Sequence, residues 1–484
     1  MILSRPQMLA AEEASFSSGC EAEALMESAG RQMAEFVRQN HPTPGTCLAY
    51  AGKGHNGGDV LVAIRHLAQM GWAVEARLAE PDAMAPLTVR QFERIPAQTA
   101  GPGAPLVILD GLLGIGASGP PRGRVGELIQ EINTLRRESS AWVLAADVPS
   151  GLDADSGQPE DPCVVADATV TMGFAKEGLV GDRATNYVGR LAVAALDGVR
   201  APSDADPAGI LTSDLLASML PLRAFDTHKG MAGRVAIIAG SRGFTGAARL
   251  CSEAAVRGGA GLVTLFVLPE NVAILAASVA PEVMVRPTAS YAEVLEAKWD
   301  AIAIGPGLST QHAGDIVRVI REAACPCVVD ADALNVVARD PAVLVGCAGA
   351  RLLTPHPGEM ERLRPQGGRS RRDWLDAFVE KHPVTLLLKG SRTIIGEAGQ
   401  PPAFNTTGHP GMASGGMGDV LTGVAAALIA QGRSPVEAAM LGAWICGRSA
   451  EIALTAGASQ ESLRASDVLA HLGAAFTSLR TRSF

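Results

Sequence analysis

Short apolar runs that end in glycine-rich loops, alternating with stretches of helical periodicity, constrain this chain more than any other feature. In the first part the runs are TCLAYAG (46–52), WAVEARLA (72–79), PLVILDG (105–111) and AWVLAADVPSG (141–151), with helical stretches such as 58–70 and 125–138 between them. A second series runs through RVAIIAG (234–240), GLVTLFVLP (261–269), DAIAIGPG (300–307), PCVVDAD (326–332), RLLTPHPGE (351–359) and VTLLLKG (384–390). Ala-rich helical patterns close it at 418–431, 434–455 and 466–480. Strands that are apolar on both faces need helices on each side, so the expected class is α/β with parallel sheets. The polar, turn-rich stretch GVRAPSDADPAG (198–209) separates the two series. Two domains are therefore expected, 1–205 and 206–484, each long enough to bury its own core.

Composition narrows the function. Lys and Arg number 41 against 50 Asp and Glu, a net charge of −9, whereas a general nucleic-acid binder needs cationic surface to displace counterions. With 3 Tyr and 5 Trp there is little material for base-stacking platforms. No nucleic-acid partner is expected. The eight Cys include no CxxC pair and read as small buried hydrophobes of a reducing compartment. No apolar run reaches the ~18 residues of a membrane span, and Glu12 and Glu13 interrupt the beginning of the chain. The expectation is a cytoplasmic protein without a membrane partner.

Ligands of open α/β sheets bind at the carboxyl ends of strands. The first run leads into Gly52-Lys53-Gly54-His55-Asn56-Gly57-Gly58-Asp59 and then a helix. Glycines let backbone N–H groups approach an anion, and a helix N-terminus favours negative charge, which suits a phosphate or pyrophosphate. The third run leads into Asp110-Gly111-Leu112-Leu113-Gly114-Ile115-Gly116-Ala117-Ser118-Gly119-Pro120, with GxGxxG spacing between strand and helix. It is not the first such turn, which argues against an ordinary nicotinamide-dinucleotide site. The fourth run ends in Asp147-Val148-Pro149-Ser150-Gly151. Asp147 is a strand-tip carboxylate able to act as acid or base. Asn56, Asp110 and Ser150 supply hard oxygens that suit a monovalent cation as well as Mg²⁺. Capping or turn chemistry is the rival reading of Asp110 and Ser150.

In the second half, Gly415-Gly416-Met417-Gly418-Asp419 opens a helix. Its free N–H groups form an anion hole, and Asp419 in the first turn can face a bound hydroxyl as a general base; a carboxylate that merely complements the helix dipole is the alternative. Lys389-Gly390-Ser391-Arg392-Thr393 offers a cation, amides and hydroxyls for nucleotide phosphates, and reads equally as a hairpin turn. His356, between two prolines, is placed to face a ligand or solvent. Gly307 lets a backbone pass close to a ligand, with Ala260 as a small residue lining the same cleft. Arg364, Arg369, Arg371 and Arg372 read as a solvated loop or helix start before a nucleotide-phosphate role.

GKGHNGGD, DGLLGIGASG and DVPSGLDADSG, in that order, resemble the YjeF N-terminal domain, the NAD(P)H-hydrate epimerase, over roughly residues 1–200. The resemblance implies a Rossmann-like three-layer domain. It implies a hydrated dinucleotide held by His55, Asn56, Gly57, Gly58, Asp59, by Gly114, Ile115, Gly116, Ala117, Ser118, Gly119, Pro120 and by Asp147 as the acid/base group. It also implies K⁺ on Asn56, Asp110 and Ser150. GPG, TPHPGE, KGSRT and the GxGD helix start resemble the YjeF C-terminal domain, the ribokinase-like NAD(P)H-hydrate dehydratase, over roughly 215–480. This implies substrate contacts from Ala260, Gly307, His356 and Asp419, and ADP with Mg²⁺ held by Lys389, Gly390, Ser391, Arg392, Thr393 and Gly418. The expected substrates are NADHX, NADPHX and ADP, and since such domains often assemble, a homo-oligomer is expected. His55, Val60 and Met417 depart from the family pattern. Two other functions compete: a small-molecule kinase in the second half, and a non-catalytic binding module in the first.

Overall fold

The computed structural model describes residues 1–96, 105–220, 222–363 and 370–484, so Arg364 and Arg369 lie outside the described residues. Contacts divide the chain into Met1–Thr212, with Phe484, and Ser213–Ser483.

In the first unit the apolar runs become strands β1 (Thr46–Ala51), β2 (Ala73–Leu78), β3 (Leu106–Gly111) and β4 (Trp142–Ala146). Two more, β5 (Ala168–Met172) and β6 (Arg190–Ala194), fall outside the expected runs because Thr169, Thr171 and Arg190 break the apolar pattern. Both threonines are nevertheless buried, and the Thr169 hydroxyl donates to the Val188 carbonyl at 2.8 Å. A buried hydroxyl with a backbone partner costs little, so a strand tolerates it. The six strands lie in the order β2-β1-β3-β4-β5-β6, all parallel.

Helices α1 (Arg5–Ser17), α2 (Ala22–Asn40), α3 (His55–Gln69) and α4 (Gly123–Glu138) accompany this sheet. Alternation along the strands sorts side chains to two faces. Cys47, Ala49, Val107, Leu109 and Leu144 pack with Phe36 and Val37 of α2 and Leu61 and Ile64 of α3. Leu48, Tyr50, Ile108, Val143 and Ala145 pack with Leu128, Ile129 and Ile132 of α4. The result is three layers. The strand order reverses between β1 and β3, which opens a crevice at their carboxyl ends.

The second unit carries β7 (Arg234–Ile238), β8 (Leu262–Val267), β9 (Val283–Pro287), β10 (Ala301–Ile304), β11 (Cys327–Val329), β12 (Arg351–Leu353), β13 (Thr385–Leu388), β14 (Thr393–Gly396) and β15 (Ala403–Asn405). They run in the order β9-β8-β7-β10-β11-β12-β13-β14-β15. Pairing is parallel from β9 to β13 and antiparallel beyond it. Strand β9, an edge with Met284 exposed, escapes the apolar-run criterion. The order reverses between β7 and β10, again at a crevice.

Helices α5 (Thr245–Arg257), α6 (Pro357–Leu363), α7 (Met417–Ala430), α8 (Pro435–Thr455) and α9 (Ala465–Arg480) bear on the second site. Every residue of α7 from Val420 to Ala430 is buried, so it is a central helix rather than a surface one. Gly423 makes this possible: a Cβ there would stand 2.1 Å from the Cys251 carbonyl of α5. All eight cysteines are free; Cys47, Cys163, Cys251, Cys327 and Cys446 are buried and the other three are partly so. Among the described residues no helix is long and apolar enough to cross a membrane.

Candidate active sites in the two units

At the crevice of the first unit, β1 and β3 converge so closely that a Cβ on Gly52 would lie 1.9 Å from the Leu112 carbonyl. Asn56, in the first turn of α3, donates its Nδ2 hydrogens to the Leu113 carbonyl at 2.7 Å and the Ala146 carbonyl at 3.2 Å. The Leu113 N–H donates to Ser150 Oγ at 2.9 Å, and that hydroxyl donates to Asp110 Oδ1 at 2.7 Å. Asp110 also accepts from the Ser150 and Leu112 N–H groups at 2.8 and 3.2 Å. Asn56, Asp110 and Ser150 are thus gathered around the Leu112–Leu113 backbone. Asp110 is wholly buried, and among the described residues no cationic side chain touches it. Burial raises its pKa to about 6, with the Ser150 and Leu112 hydrogen bonds holding it down. A buried carboxylate ringed by neutral donors, beside the Ser150 hydroxyl and an Asn56 Oδ1 that accepts no hydrogen bond among the described residues, fits a monovalent cation.

Asp147 follows β4 with a backbone φ of 63°, the left-handed region that side chains rarely occupy. Such strain persists where the surroundings over-determine it, which is common at functional positions. Here they do. Oδ1 of Asp147 accepts from Lys176 Nζ at 2.5 Å, from the Met172 N–H at 2.9 Å and from Thr171 Oγ1 at 3.2 Å. Lys176 is fully buried and also donates to Thr171 Oγ1 and the Met172 carbonyl, each at 3.0 Å. One carboxylate oxygen is pinned, and among the described residues the other has no donor. Lys176 is the partner of Asp147 that sequence reasoning missed, since AKEG carries no pattern that marks it. The loop Gly116–Pro120 is exposed, open to a ligand, and Ile115 is buried beneath it. Val60 is core: a Cβ on Gly111 would meet its Cγ2 at 2.6 Å.

In the second unit Asp419 stands in the first turn of α7, after Gly416 in the left-handed region at φ 92°. Asp330, at the tip of β11, accepts from Lys389 Nζ at 2.9 Å and from Thr422 Oγ1 at 2.8 Å. Lys389 Nζ also lies 3.9 Å from Glu359 Oε2. A Cβ on Gly418 would stand 3.2 Å from the same Nζ, so Lys389 and Gly418 are brought together. Burial and the Asp330 charge raise the Asp419 carboxyl to about 7, with Lys389 acting against them. Burial lowers Lys389, but Asp330, Glu359 and Asp419 together carry it above its ordinary value. A base near neutrality is well matched to proton transfer at physiological pH.

His356 is half exposed and caps α6, accepting at Nδ1 from the Gly358 and Glu359 N–H groups at 3.1 and 3.3 Å. The Glu359 carboxylate in turn accepts from the His356 N–H at 2.8 Å. Lys389 to Arg392 form the turn between β13 and β14, as the hairpin reading has it. Ser391 is exposed, Arg392 is buried, and the Thr393 hydroxyl donates to the Gly390 carbonyl at 3.1 Å. Arg371 opens a helix, as the helix-start reading has it, but its side chain is buried and reaches the Lys389 carbonyl at 3.4 Å. Asp330 and Glu359 lay inside quoted strand-end runs without an assigned role. They offer the carboxylates that an octahedral divalent cation takes alongside nucleotide phosphates.

Ala260 is a correction. It precedes β8, at the amino end of the sheet, and a Cβ on its neighbour Gly259 would lie 3.0 Å from Gln431, just past the C-terminal end of α7. At about 1.5 Å of rise per residue, that is roughly 18 Å along the axis from Asp419. The small residue beside Gly307 is Ala247, whose Cβ would stand 2.9 Å from a Cβ on Gly307.

The comparisons with known proteins agree with this division. The family model for NAD(P)H-hydrate dehydratase matches residues 235–471, and that for the YjeF-related protein N-terminus matches 22–178. The chain is 38% identical to the bifunctional NAD(P)H-hydrate repair enzyme of Moorella thermoacetica, across 92% of this chain and 90% of that one. It is 34% identical to that of Coxiella burnetii, across 95% and 96%. The second unit is similar to the ADP/ATP-dependent NAD(P)H-hydrate dehydratase of Bacillus subtilis co-crystallised with ATP and Mg²⁺, with TM-score 0.50 and 27% identity over 56% of this chain and 99% of that one. The ribokinase-like α/β fold expected for the second half is therefore the one observed. The chain belongs to the family of bifunctional NAD(P)H-hydrate repair enzymes.

Proposed function

We propose that the first unit interconverts the R and S forms of NADHX and NADPHX, and that the second dehydrates the S form to NAD(P)H while converting ADP to AMP and phosphate. The observation that carries the reading is the Asp419 carboxyl, raised to about 7 at a helix N-terminus beside the Asp330–Lys389 pair. Water added across the C5–C6 bond of the ring leaves a hydroxyl on C6, a poor leaving group. Asp419 takes its proton as the oxygen bonds to the terminal phosphorus of ADP, and AMP departs. The N1 lone pair then expels phosphate, and loss of the C5 proton restores the conjugated ring. The backbone N–H groups at Gly418 and the Lys389–Thr393 turn hold the nucleotide, with Gly307 and His356 at the hydrate. Asp330 and Glu359 would hold Mg²⁺ brought in with the nucleotide, which would supply charge neutralisation at the phosphates. In the first unit Asn56, Asp110 and Ser150 would hold K⁺, which would supply a fixed positive charge. Residues 55–59 and 114–120 hold the dinucleotide, and the unpinned oxygen of Asp147 moves the proton. We take the working form to be a homo-oligomer.

The test follows near-UV absorbance of reduced nicotinamide in a mixture of both NADHX epimers with ADP. Full return to NADH, faster than spontaneous epimerisation, is expected. Consumption of one epimer alone overturns the epimerase, and net transfer of phosphate to a stable product would make the second unit a kinase.

A further inference from the structure

The segment 2–17 is tied to the first site at three separate points. Ile2 and Leu3 pair in parallel with Ala175 and Lys176, so its backbone is bonded next to the lysine that pins Asp147. Met8 is wholly buried, and a Cβ on Gly173 would touch its Cε at 3.3 Å. The Arg5 N–H donates to Asp155 Oδ1 at 2.5 Å, and its guanidinium donates to the Gly116 carbonyl at 3.0 Å. Those two partners belong to the loops that follow β4 and β3. The family model for this unit begins at residue 22, so the segment lies outside the matched part.

Glu12 sits on α1 next to Ala11, which is buried, and is itself half-buried. Among the described residues its carboxyl accepts no hydrogen bond. The charged groups acting on it are Asp147 and Lys176, the two members of the ion pair. Asp59, in the first turn of α3, is acted on by Asp147 and Glu12. Glu12 and Asp147 therefore share one buried lysine, and only Asp147 bonds to it. Burial and the Asp147 charge raise Glu12 above its ordinary value, against the pull of Lys176; burial, Asp147 and Glu12 raise Asp59 well above its own. Glu12 is the carboxyl that feels both members of the pair, and it is partly open to solvent protons.

We propose that residues 2–17 form a wall of the epimerase site and that the Glu12 carboxyl is its proton donor, working opposite Asp147. This rests on the epimerase reading above. Glu12 gives its proton to the C6 hydroxyl, the C6–O bond breaks, and the N1 lone pair forms the C6–N1 double bond as water leaves. Water then adds to the opposite face of C6, the electron pair returns to N1, and Asp147 takes the released proton. Return of that proton to Glu12 closes the cycle with no net change in atoms or charge. The reverse epimerisation runs with the two roles exchanged.

The experiment uses the full chain and E12Q, with the R and S hydrates supplied separately and ADP in excess. Consumption of the R form reports epimerisation, and consumption of the S form is an internal control for folding and dehydration. A lost acid costs ~10²–10⁴-fold, so E12Q should slow R consumption by at least about 10²-fold and leave S consumption unchanged. The wild-type epimerase rate should fall as pH rises and the donor ionises. E12Q should lack that falling limb, while E12D should keep it. R consumption by E12Q at the wild-type rate overturns the proposal, and so does a slow E12Q that keeps the limb, since Glu12 would then only position other groups. If the wild-type chain consumes R no faster than spontaneous epimerisation, the epimerase reading itself fails, before any variant is compared.

Discussion

At the scale of single residues, the two sites use opposite arrangements of the same chemistry. Asp147 is held beside a buried ammonium with one oxygen pinned. Asp419 stands one neighbour away from its ammonium, because Lys389 is bonded to Asp330 instead. Burial and the Asp330 charge lift the Asp419 carboxyl to about 7, with Lys389 opposing them. D419N should therefore lower dehydratase turnover ~10²–10⁴-fold. In the wild type kcat/KM should climb with pH about a midpoint near 7, where the base becomes ionised. A pH–rate profile on the S hydrate checks both, and an unchanged turnover in D419N removes Asp419 from the chemistry. Asp110 gives a prediction about stability. Its folded value of about 6 lies above the ordinary carboxyl range, so ionisation costs stability once pH rises through that value, and the cost persists above it. A bound cation favours the ionised form and offsets the cost. Replacing choline chloride by KCl should thus raise Tm at pH 8 and leave it unchanged at pH 5, and D110N should abolish the gain. An equal gain at both pH values would show a salt effect unrelated to Asp110.

At the scale of elements, each site depends on how a loop enters a helix. Helix α7 carries Asp419 on a core element with no exposed face after its first turn, so the base cannot shift without moving the packing around it. The contact at Gly423 sets that position, since the Cys251 carbonyl leaves no room for a methyl group. G423A should destabilise the second unit by about 1–3 kcal/mol through overpacking, read as a lower denaturant midpoint at constant m-value. A midpoint equal to wild type would mean that the two helices can separate freely. The periodic helices and the longer strands were legible in the sequence because their apolar patterns are regular. Strands β5 and β9 were not, because buried threonines and an exposed edge hide the pattern. The run with Arg371 reads as a solvated loop or a helix start; it is a helix start, and the burial of the side chain was hidden because a charged run looks like surface until the fold covers one member of it.

At the scale of the whole molecule, two sheets carry two sites, each at its own reversal of strand order. The two activities should therefore be separable within one chain. D147N should stop consumption of the R hydrate while the S hydrate is still dehydrated, and D419N should stop dehydration of either while epimers still interconvert, followed by chromatography of the two hydrates. Loss of both activities in D147N would indicate misfolding instead. Local pattern alone determined the α/β class, the division into two series, and the loops that carry Asn56, Asp110, Asp147, Gly307, His356 and Asp419, because glycine-rich turns at strand ends are properties of short stretches. Tertiary structure alone decided the partners: Lys176 for Asp147, Asp330 and Glu359 for Lys389, Ala247 rather than Ala260 beside Gly307, and Glu12 near the first ion pair. Charges and contacts act through space over a few ångströms, between residues that can stand tens of positions apart, and no local pattern encodes that distance.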